Sequence, residues 1–295
     1  MVVLLTLLER YSVPAWIRSV FALFYLMDLK AVAYSTNGME TSFLLLFVSL
    51  LILFIQEDLK TSYRKIGWTW AAIMWTRPDG FVYIIAITVW AFLSSEGTRK
   101  NWRLLIRSAL ICTMGYLPWF LFAWGYYGSP IPHTILAKGK AGIVFNPFSM
   151  GTWEGIFDRA SLAFGPIYYQ MGGWTWWMIH CTRLLGLFCL TYWMFPVRNL
   201  SGRYASLSFL ILCAYLSATY PYPWYLPPVT LLGWLTLTLA LSQSFSTPIK
   251  FLSVPATVLT LAMSAFIAWH GTIQMKVQQE EIETGNRKKI GEWLR

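Results

Sequence analysis

The chain has 295 residues, of which 57% are hydrophobic, 18% aromatic and only 12% charged, and its formal net charge is +10. So few charges cannot cover a soluble domain, in which roughly a quarter of the residues are charged. The Lys and Arg residues stand in short segments beside apolar runs, which favours positive-inside membrane topology over nucleic-acid binding. The composition therefore predicts an integral membrane protein that contacts membrane lipids and no nucleic acid.

The predicted elements are transmembrane helices, because the apolar runs match a hydrocarbon core about 30 Å thick and a helix satisfies the backbone there. Residues Met1–Leu8 read as the tail of a hydrophobic helix, which predicts an upstream segment. The further predicted spans, in chain order, are Val13–Met27, Ser42–Ile55, the divided stretch Ile66–Leu93, Leu104–Trp124, Trp174–Phe195, Ala205–Tyr220, Tyr225–Leu241 and Phe251–Trp269.

The divided stretch Ile66–Leu93 is interrupted by Arg77-Pro78-Asp79-Gly80. The flanking segments Gln56–Lys65 and Ser94–Arg107 are both basic, so the positive-inside rule predicts both to be cytoplasmic. The stretch between them must then leave the cytoplasmic side and return to it, as a helical hairpin or a pair of short helices. The predicted fold class is an all-α polytopic transmembrane bundle with re-entrant or short paired helices.

Residues 1–273 are predicted to form one transmembrane domain with a large extracytoplasmic loop at about 125–173. Residues 274–295 are predicted to begin an extracytoplasmic tail, which resembles the start of an amphipathic surface helix whose pattern continues past Arg295. Four cysteines lie in or beside apolar runs without a CxxC pair, which is typical of inert membrane residues.

Two polar clusters on the predicted extracytoplasmic side contain carboxylates. Glu40 lies in Asn37-Gly38-Met39-Glu40-Thr41, just before a span. A helix N-terminus capped by Thr41 or Asn37, with Glu40 complementing the dipole, explains this segment as well as a site does. Arg77 and Asp79 are charges at membrane depth, where a partner or an aqueous cavity is expected. They are predicted to form a structural pair that closes the hairpin, and an arginine held in this way could also bind a phosphate in a bidentate manner.

Two further clusters on that side could bind a lipid-linked sugar. Gly128–Thr134 holds two prolines and His133, followed by Lys138 and Lys140, groups suited to a phosphate or pyrophosphate leaving group. Contact with anionic lipid is the alternative for these lysines. Tyr220–Pro228 includes Tyr222, Trp224 and Tyr225, either an interfacial aromatic belt or a platform for a sugar ring.

Other polar residues are interpreted as structural. His180 and His270 stand alone near helix ends and read as interfacial residues rather than metal ligands. Glu154, Asp158 and Arg159 are spaced as a solvated helix face. The sequence contains no HExxH, Walker or GxGxxG motif and predicts no metal-ligand cluster.

The four motifs occur in one order: Gly-Met-Glu-Thr before a helix, Arg-Pro-Asp-Gly between two short helices, Gly-Ser-Pro-Ile-Pro-His-Thr with Ala137-Lys138 after it, and a late Tyr-Pro-Trp-Tyr-Leu-Pro-Pro turn. This order resembles the bacterial GT-C glycosyltransferases, closest to the branch with mycobacterial-type terminal arabinofuranosyltransferases. The motif positions that match are Glu40, Arg77, Asp79, Pro130, Pro132, Thr134 and Lys138, with His133 standing where such enzymes usually have Asn.

The resemblance implies a hexosyl- or pentosyltransferase of the cell envelope, in the bacterial cytoplasmic membrane. Its partners would be a polyprenyl-phosphate-linked sugar donor and a glycan, lipid or protein acceptor. Arg77 and Lys138 would hold the phosphate, with His133 and the aromatic turn also binding substrate, while Glu40 and Asp79 would orient sugar hydroxyls or a divalent cation such as Mg²⁺ or Mn²⁺. Such enzymes place a catalytic aspartate in the first external loop. This sequence contains no such loop, so the resemblance implies that the catalytic base is supplied by sequence upstream of Met1.

Two other classes of function remain open at this point. Broken helices and intramembrane charges also mark transporters and lipid flippases, although the second half of the sequence has no matching broken helix. The third reading is a non-catalytic membrane subunit that keeps the fold without the chemistry.

Overall fold

A computed structural model describes residues 1–26, 28–36, 40–93, 98–128, 148–165, 176–195, 200–219, 223–246 and 284–293, with a few separate positions between 258 and 280. All regular structure in these residues is helical. The α-helices are α1 Val2–Arg10, α2 Ala15–Leu26, α3 Leu29–Thr36, α4 Thr41–Ile55, α5 Leu59–Thr76, α6 Phe81–Leu93, α7 Thr98–Tyr127, α8 Met150–Phe164, α9 Trp176–Thr191, α10 Leu200–Ser217, α11 Leu226–Ser246 and α12 Gly285–Trp293. Single 3₁₀ turns lie at Pro78–Gly80, Tyr192–Met194 and Pro223–Tyr225.

Three helical segments in the described part of the chain are long and apolar enough to cross a membrane: Trp102–Tyr127, Leu200–Ser217 and Pro223–Gln243. Shorter apolar helical segments occur at Ala15–Leu26, Thr41–Ile55 and Pro78–Val89. These helices support the predictions of an all-α fold and of a membrane protein.

Helix α5 begins earlier than the sequence pattern predicts. Asp58 caps it by accepting a hydrogen bond from the backbone N–H of Lys60 at 3.1 Å. The basic residues Lys60, Arg64 and Lys65 therefore lie on the first two turns of the helix rather than in a loop. The apolar-run criterion misses this start because Lys and Arg can lay their stems along a helix while their charged ends reach water.

The break between α5 and α6 is sharp because of three residues in the Arg77–Gly80 turn. Arg77 has an extended backbone, φ −150° and ψ 130°, and Pro78 starts a 3₁₀ turn. Gly80 lies so close to α5 that a Cβ there would stand 2.8 Å from the carbonyl oxygen of Ile73. A side chain at position 80 would therefore push the turn away from α5.

Helix α7 runs parallel to α5. The Ser108 hydroxyl donates to the Tyr63 carbonyl at 2.9 Å, and further along both helices the Trp75 indole donates to the Gly115 carbonyl at 3.0 Å. Gly67 supports this close approach, since a Cβ there would stand 2.7 Å from the Ser108 carbonyl oxygen. Because α5 and α7 run in the same direction, α6 must carry the chain back between them. The predicted hairpin thus matches the path of the backbone.

Helix α11 is at the centre of the described bundle, where it packs against α10, α2, α8, α4 and α9. Helix α8 lies inside the predicted external loop, yet its buried residues Ile156, Ala160, Ala163 and Phe164 pack into the core. Those positions recur with helical spacing, but the helix has only 15 residues and its apolar positions are interrupted by polar ones. A search for long apolar runs therefore does not detect it.

A buried ion pair stands at the junction between α2 and α3. Asp28 caps α3 by accepting from the Ala31 N–H at 2.9 Å, and its other oxygen accepts from Lys30 at 3.1 Å. Lys30 also donates to the carbonyl of Gly165, directly after α8, at 2.7 Å. Phe164 packs against Phe209, halfway along α10, so the pair lies near the middle of the bundle's height.

The two ends of α4 differ in polarity. The 15 residues of α4 lie between Glu40 and Gln56, which are therefore about 24 Å apart at 1.5 Å per residue. At the later end Glu57 accepts from Arg10 at 3.2 Å and from Lys65 at 2.9 Å, while Gln56 donates to Tyr11. The basic start of α5 therefore lies at the opposite end of the bundle from Glu40.

Candidate functional site

Three charged residues predicted as site residues meet in one cluster. The Arg77 guanidinium donates through Nη1 to Glu40 Oε1 at 3.0 Å, through Nε to Asp79 Oδ1 at 2.9 Å and through Nη2 to Asp79 Oδ2 at 3.2 Å. The contact with Asp79 is bidentate, the strongest arrangement for an arginine and a carboxylate. The structural-pair interpretation of Arg77 and Asp79 is correct, and Glu40 joins them.

Two tyrosines complete the cluster from the other half of the chain. The Tyr215 hydroxyl, near the end of α10, donates to Asp79 Oδ2 at 3.2 Å. The ring of Tyr225, in the 3₁₀ turn before α11, lies 3.9 Å from the Arg77 guanidinium carbon, a cation–π contact. Tyr225 was predicted as a substrate-binding residue, whereas Tyr215 was missed because it lies inside an apolar run without a motif.

Local structure directs each carboxylate toward Arg77. Glu40 occupies the N-cap position of α4, but its side chain makes no capping hydrogen bond and pairs with Arg77 instead. Thr41 is the first residue of α4 rather than its cap, so the prediction that Thr41 caps the helix is wrong. Asn37, the other predicted cap, lies outside the described residues.

Two buried hydroxyls beside the cluster make no hydrogen bond within the described part of the chain: Thr41 Oγ1, next to Glu40, and Tyr83 Oη on the first turn of α6. Both side chains are almost fully buried. A buried hydroxyl without a partner is unfavourable by about 1–3 kcal/mol. Each therefore offers a hydrogen bond to a water or a bound ligand, and neither was predicted.

Exposure separates the two carboxylates. The side chains of Arg77 and Asp79 are 6% and 12% exposed, whereas that of Glu40 is 38% exposed. Arg77 and Tyr215 engage both oxygens of Asp79, while Glu40 uses one oxygen on Arg77. Glu40 is thus the carboxylate of this cluster that can reach a ligand and accept a proton from it.

The cluster suits hydroxyls better than a phosphate or a metal ion. One arginine stands against two carboxylates, and three of its five N–H donors already point at them. A phosphate would meet net negative charge. Arg77 takes the position between Glu40 and Asp79 that a bridging cation would need, and no group of three or more His, Cys, Asp or Glu side chains forms among the described residues. These carboxylates therefore fit an arginine rather than Mg²⁺ or Mn²⁺.

The other predicted site residues divide into two groups. Trp224 lies beside the cluster, with its ring 6.5 Å from that of Tyr225 and 6.4 Å from that of Tyr34 on α3. The remaining members lie outside the described residues: Pro130, Pro132, His133, Thr134, Lys138, Lys140 and Tyr222.

Two histidines and one helix face were predicted to be structural. His180 is exposed and packs edge-on against Trp176 at 4.6 Å, and His270 lies 4.4 Å from the Phe266 ring, contacts that suit interfacial residues. Glu154 and Asp158 are exposed, as a solvated helix face requires. Arg159 departs from that interpretation, because it is half-buried and lines a cleft between α8 and α9.

No protein-family model, no curated protein and no solved structure matches this chain. Function is therefore inferred from the geometry of the Arg77 cluster together with the sequence motifs that meet there.

Proposed function

We propose that this protein is a multi-pass membrane glycosyltransferase of the GT-C type in the bacterial cytoplasmic membrane. It would transfer a sugar from a polyprenyl-phosphate donor to an acceptor hydroxyl on the extracytoplasmic side. One observation carries the proposal: four residues from three separate motifs lie within contact distance of one another, namely Glu40, Arg77, Asp79 and Tyr225. They lie at the end of the bundle opposite the basic start of α5.

In this proposal Glu40 is the catalytic base, which is a revision of the orienting role first expected for it. Its half-exposed carboxylate has one oxygen that accepts no hydrogen bond within the described residues and can take the proton of the acceptor hydroxyl. The acceptor oxygen then forms a bond to the anomeric carbon, the bond from that carbon to the phosphate oxygen breaks, and the lipid phosphate leaves with the electron pair. The proton ends on Glu40, so charge and atoms balance.

Asp79 and Arg77 hold Glu40 in position. Asp79 fixes Arg77 through two hydrogen bonds, and Arg77 in turn fixes one oxygen of Glu40. The charge of the leaving phosphate falls to the Gly128–Thr134 motif and to Lys138, which is a revision of the role first expected for Arg77.

The aromatic turn suits the sugar. Trp224 is partly exposed beside the buried Tyr225 ring, and its indole is a surface on which the apolar face of a sugar ring could stack. Tyr222 belongs to the same motif. A furanose or pyranose fits this chemistry equally well.

The test is transfer from a radiolabelled polyprenyl-phosphate sugar by full-length protein reconstituted in liposomes. Glu40→Gln should lower turnover at least about 100-fold, because the base is lost. Glu57→Gln, which alters a paired glutamate at the other end of α4, should leave turnover unchanged. Equal transfer by wild type and Glu40→Gln would overturn the assignment of the base. A wild type without transfer from any donor would overturn the enzymatic proposal.

A second candidate, transport or lipid flipping, is favoured by the Asp28–Lys30 pair. The side chains of Asp28 and Lys30 are only 8% and 4% exposed, and they lie at a break between two helices near the middle of the bundle's height. Buried charges at such a break are typical of transport paths. Flux or lipid flipping in the same liposomes without sugar transfer, abolished by Asp28→Asn, would favour this candidate over the enzyme.

A further inference from the structure

A cleft of about 270 Å³ opens between α8 and α9, away from the Arg77 cluster. Its lining residues are Asp158, Arg159, Ser161, Leu162, Ile179 and Arg183. Next to the cleft the two helices touch, because Gly186 lacks a side chain that would stand 2.8 Å from the backbone of Ala160. The hydroxyls of Ser161 and Thr182, 2.9 Å apart, join the helices beside this contact. The cleft thus has a rigid base made by both helices.

The cleft carries positive charge. Two of the residues that line it are arginines and one, the exposed Asp158, is an aspartate. Arg183 lies inside the apolar helix α9 and pairs with no carboxylate of the described residues. An arginine at membrane depth is costly, and such residues usually face a partner or mark a functional site.

The depth of the cleft matches a lipid headgroup. Arg183 is the eighth residue of α9, about 10 Å from its first residue at 1.5 Å per residue. Exposed Trp176 and Trp177 at the start of α9 are typical of a membrane–water interface. A long arginine side chain reaches from that depth back to the interface, where lipid phosphates lie.

We propose that Arg159 and Arg183 bind the phosphate group of an anionic phospholipid, in the leaflet that faces the Arg77 end of the bundle. Guanidinium groups match phosphate oxygens in a bidentate manner, and one arginine from each of the two helices that line the cleft suits one phosphate. Leu162 and Ile179 add apolar surface that suits the acyl chains of a lipid, whereas a free phosphate would make no favourable contact with it. The site is independent of the proposed sugar transfer.

The experiment compares lipid retention by full-length wild type, Arg159→Gln, Arg183→Gln and the double variant, using native mass spectrometry with phosphatidylglycerol and phosphatidylcholine as probes. Wild type should bind phosphatidylglycerol in preference to phosphatidylcholine. Each single substitution should weaken retention of phosphatidylglycerol about tenfold, since one charge-assisted contact is lost. Arg183→Lys should lose less, because it keeps the charge without the planar fork. Arg18→Gln, on α2 beside Glu9, is the control and should match wild type.

Thermal unfolding without added lipid shows whether each variant folds. A folded double variant that retains phosphatidylglycerol as wild type does would overturn the proposal. Equal retention of the two lipids by wild type would overturn it as well. If millimolar inorganic phosphate competes fully with phosphatidylglycerol, the phosphate site stands and its assignment to a lipid is overturned.

Discussion

The two ends of α4 carry clusters of the same design with opposite charge. At one end Arg77 joins two carboxylates, Glu40 and Asp79, and at the other Glu57 joins two cations, Arg10 and Lys65. Arg77 is almost fully buried, whereas the side chains of Arg10 and Lys65 are exposed. The two ends of α4 thus carry the same number of ion pairs, built around a buried arginine at one end and with exposed cations at the other.

The difference in stability between variants of the two clusters should be largest when the central arginine, Arg77, is replaced. Arg77→Gln leaves two carboxylates near each other without a cation and should lower the free energy of unfolding by about 3–5 kcal/mol. Arg10→Gln is the matched control at the exposed cluster and should cost about 1 kcal/mol or less. Denaturant unfolding in detergent micelles, followed by tryptophan fluorescence, measures both. Similar losses in the two variants would mean that burial does not distinguish the clusters.

Within the buried cluster the two carboxylates should separate stability from chemistry. Asp79→Asn disturbs three hydrogen bonds and should lower the free energy of unfolding by about 2–3 kcal/mol. Glu40→Gln should lower it by about 1 kcal/mol or less, since Glu40 is half-exposed and makes one such bond. The same unfolding assay, run beside sugar transfer, tests this order. A Glu40→Gln protein as unstable as Asp79→Asn would make Glu40 a structural residue.

Each cluster also has a cation–π contact: Arg77 with Tyr225 at the buried cluster and, at a longer distance, Lys65 with Phe54 at the exposed one. Tyr225→Leu should lower the free energy of unfolding by about 1–2 kcal/mol through the lost cation–π contact with Arg77. Tyr225→Phe keeps the ring and should cost less than half as much. Phe54→Leu, opposite Lys65 at 5.3 Å, serves as the exposed comparison and should cost less than Tyr225→Leu. Equal effects of the Leu and Phe substitutions at position 225 would assign the loss to the hydroxyl.

The smallest effect is expected from acid at the exposed cluster. The hydrogen bond from Lys65, assisted by one from Arg10, lowers the pKa of the Glu57 carboxyl from its ordinary value. The stability that this adds is complete above the ordinary pKa and is lost as pH falls through the lowered one. Glu57→Gln should therefore reduce the loss of thermal stability between about pH 5 and pH 3, by under about 1 kcal/mol. An unchanged pH profile would contradict the role of this pair.

Sequence reasoning reached the parts of this molecule that short-range patterns encode. Charge placement around Ile66–Leu93 predicted a returning segment, and the parallel course of α5 and α7 agrees with it. The bidentate pair of Arg77 and Asp79 was foreseeable because the residues are two apart around a proline. The site role of Glu40 could be predicted only from the order of the four motifs. Its neighbours in the sequence do not indicate that its side chain pairs with Arg77 rather than capping α4.

The remainder depends on contacts that leave no local signal. Tyr215 meets Asp79 across 136 positions, and Lys30 meets a backbone carbonyl that any residue at position 165 would supply. The buried hydroxyls of Thr41 and Tyr83 become informative only once the missing partners can be seen. Such features depend on packing, and a single sequence does not encode packing as a pattern.

The link between Lys30 and Gly165 has a consequence for how the chain enters the membrane. During synthesis at about 5–20 residues per second, Lys30 emerges on the order of ten seconds before its carbonyl acceptor 135 positions later. In that interval its available partner is Asp28, two residues away, which together with Lys30 makes a neutral unit that enters lipid at lower cost than a lone charge. Neutralisation of Lys30 therefore needs only the neighbouring residue Asp28, whereas its hydrogen bond to the Gly165 carbonyl can form only after α8 has been synthesised.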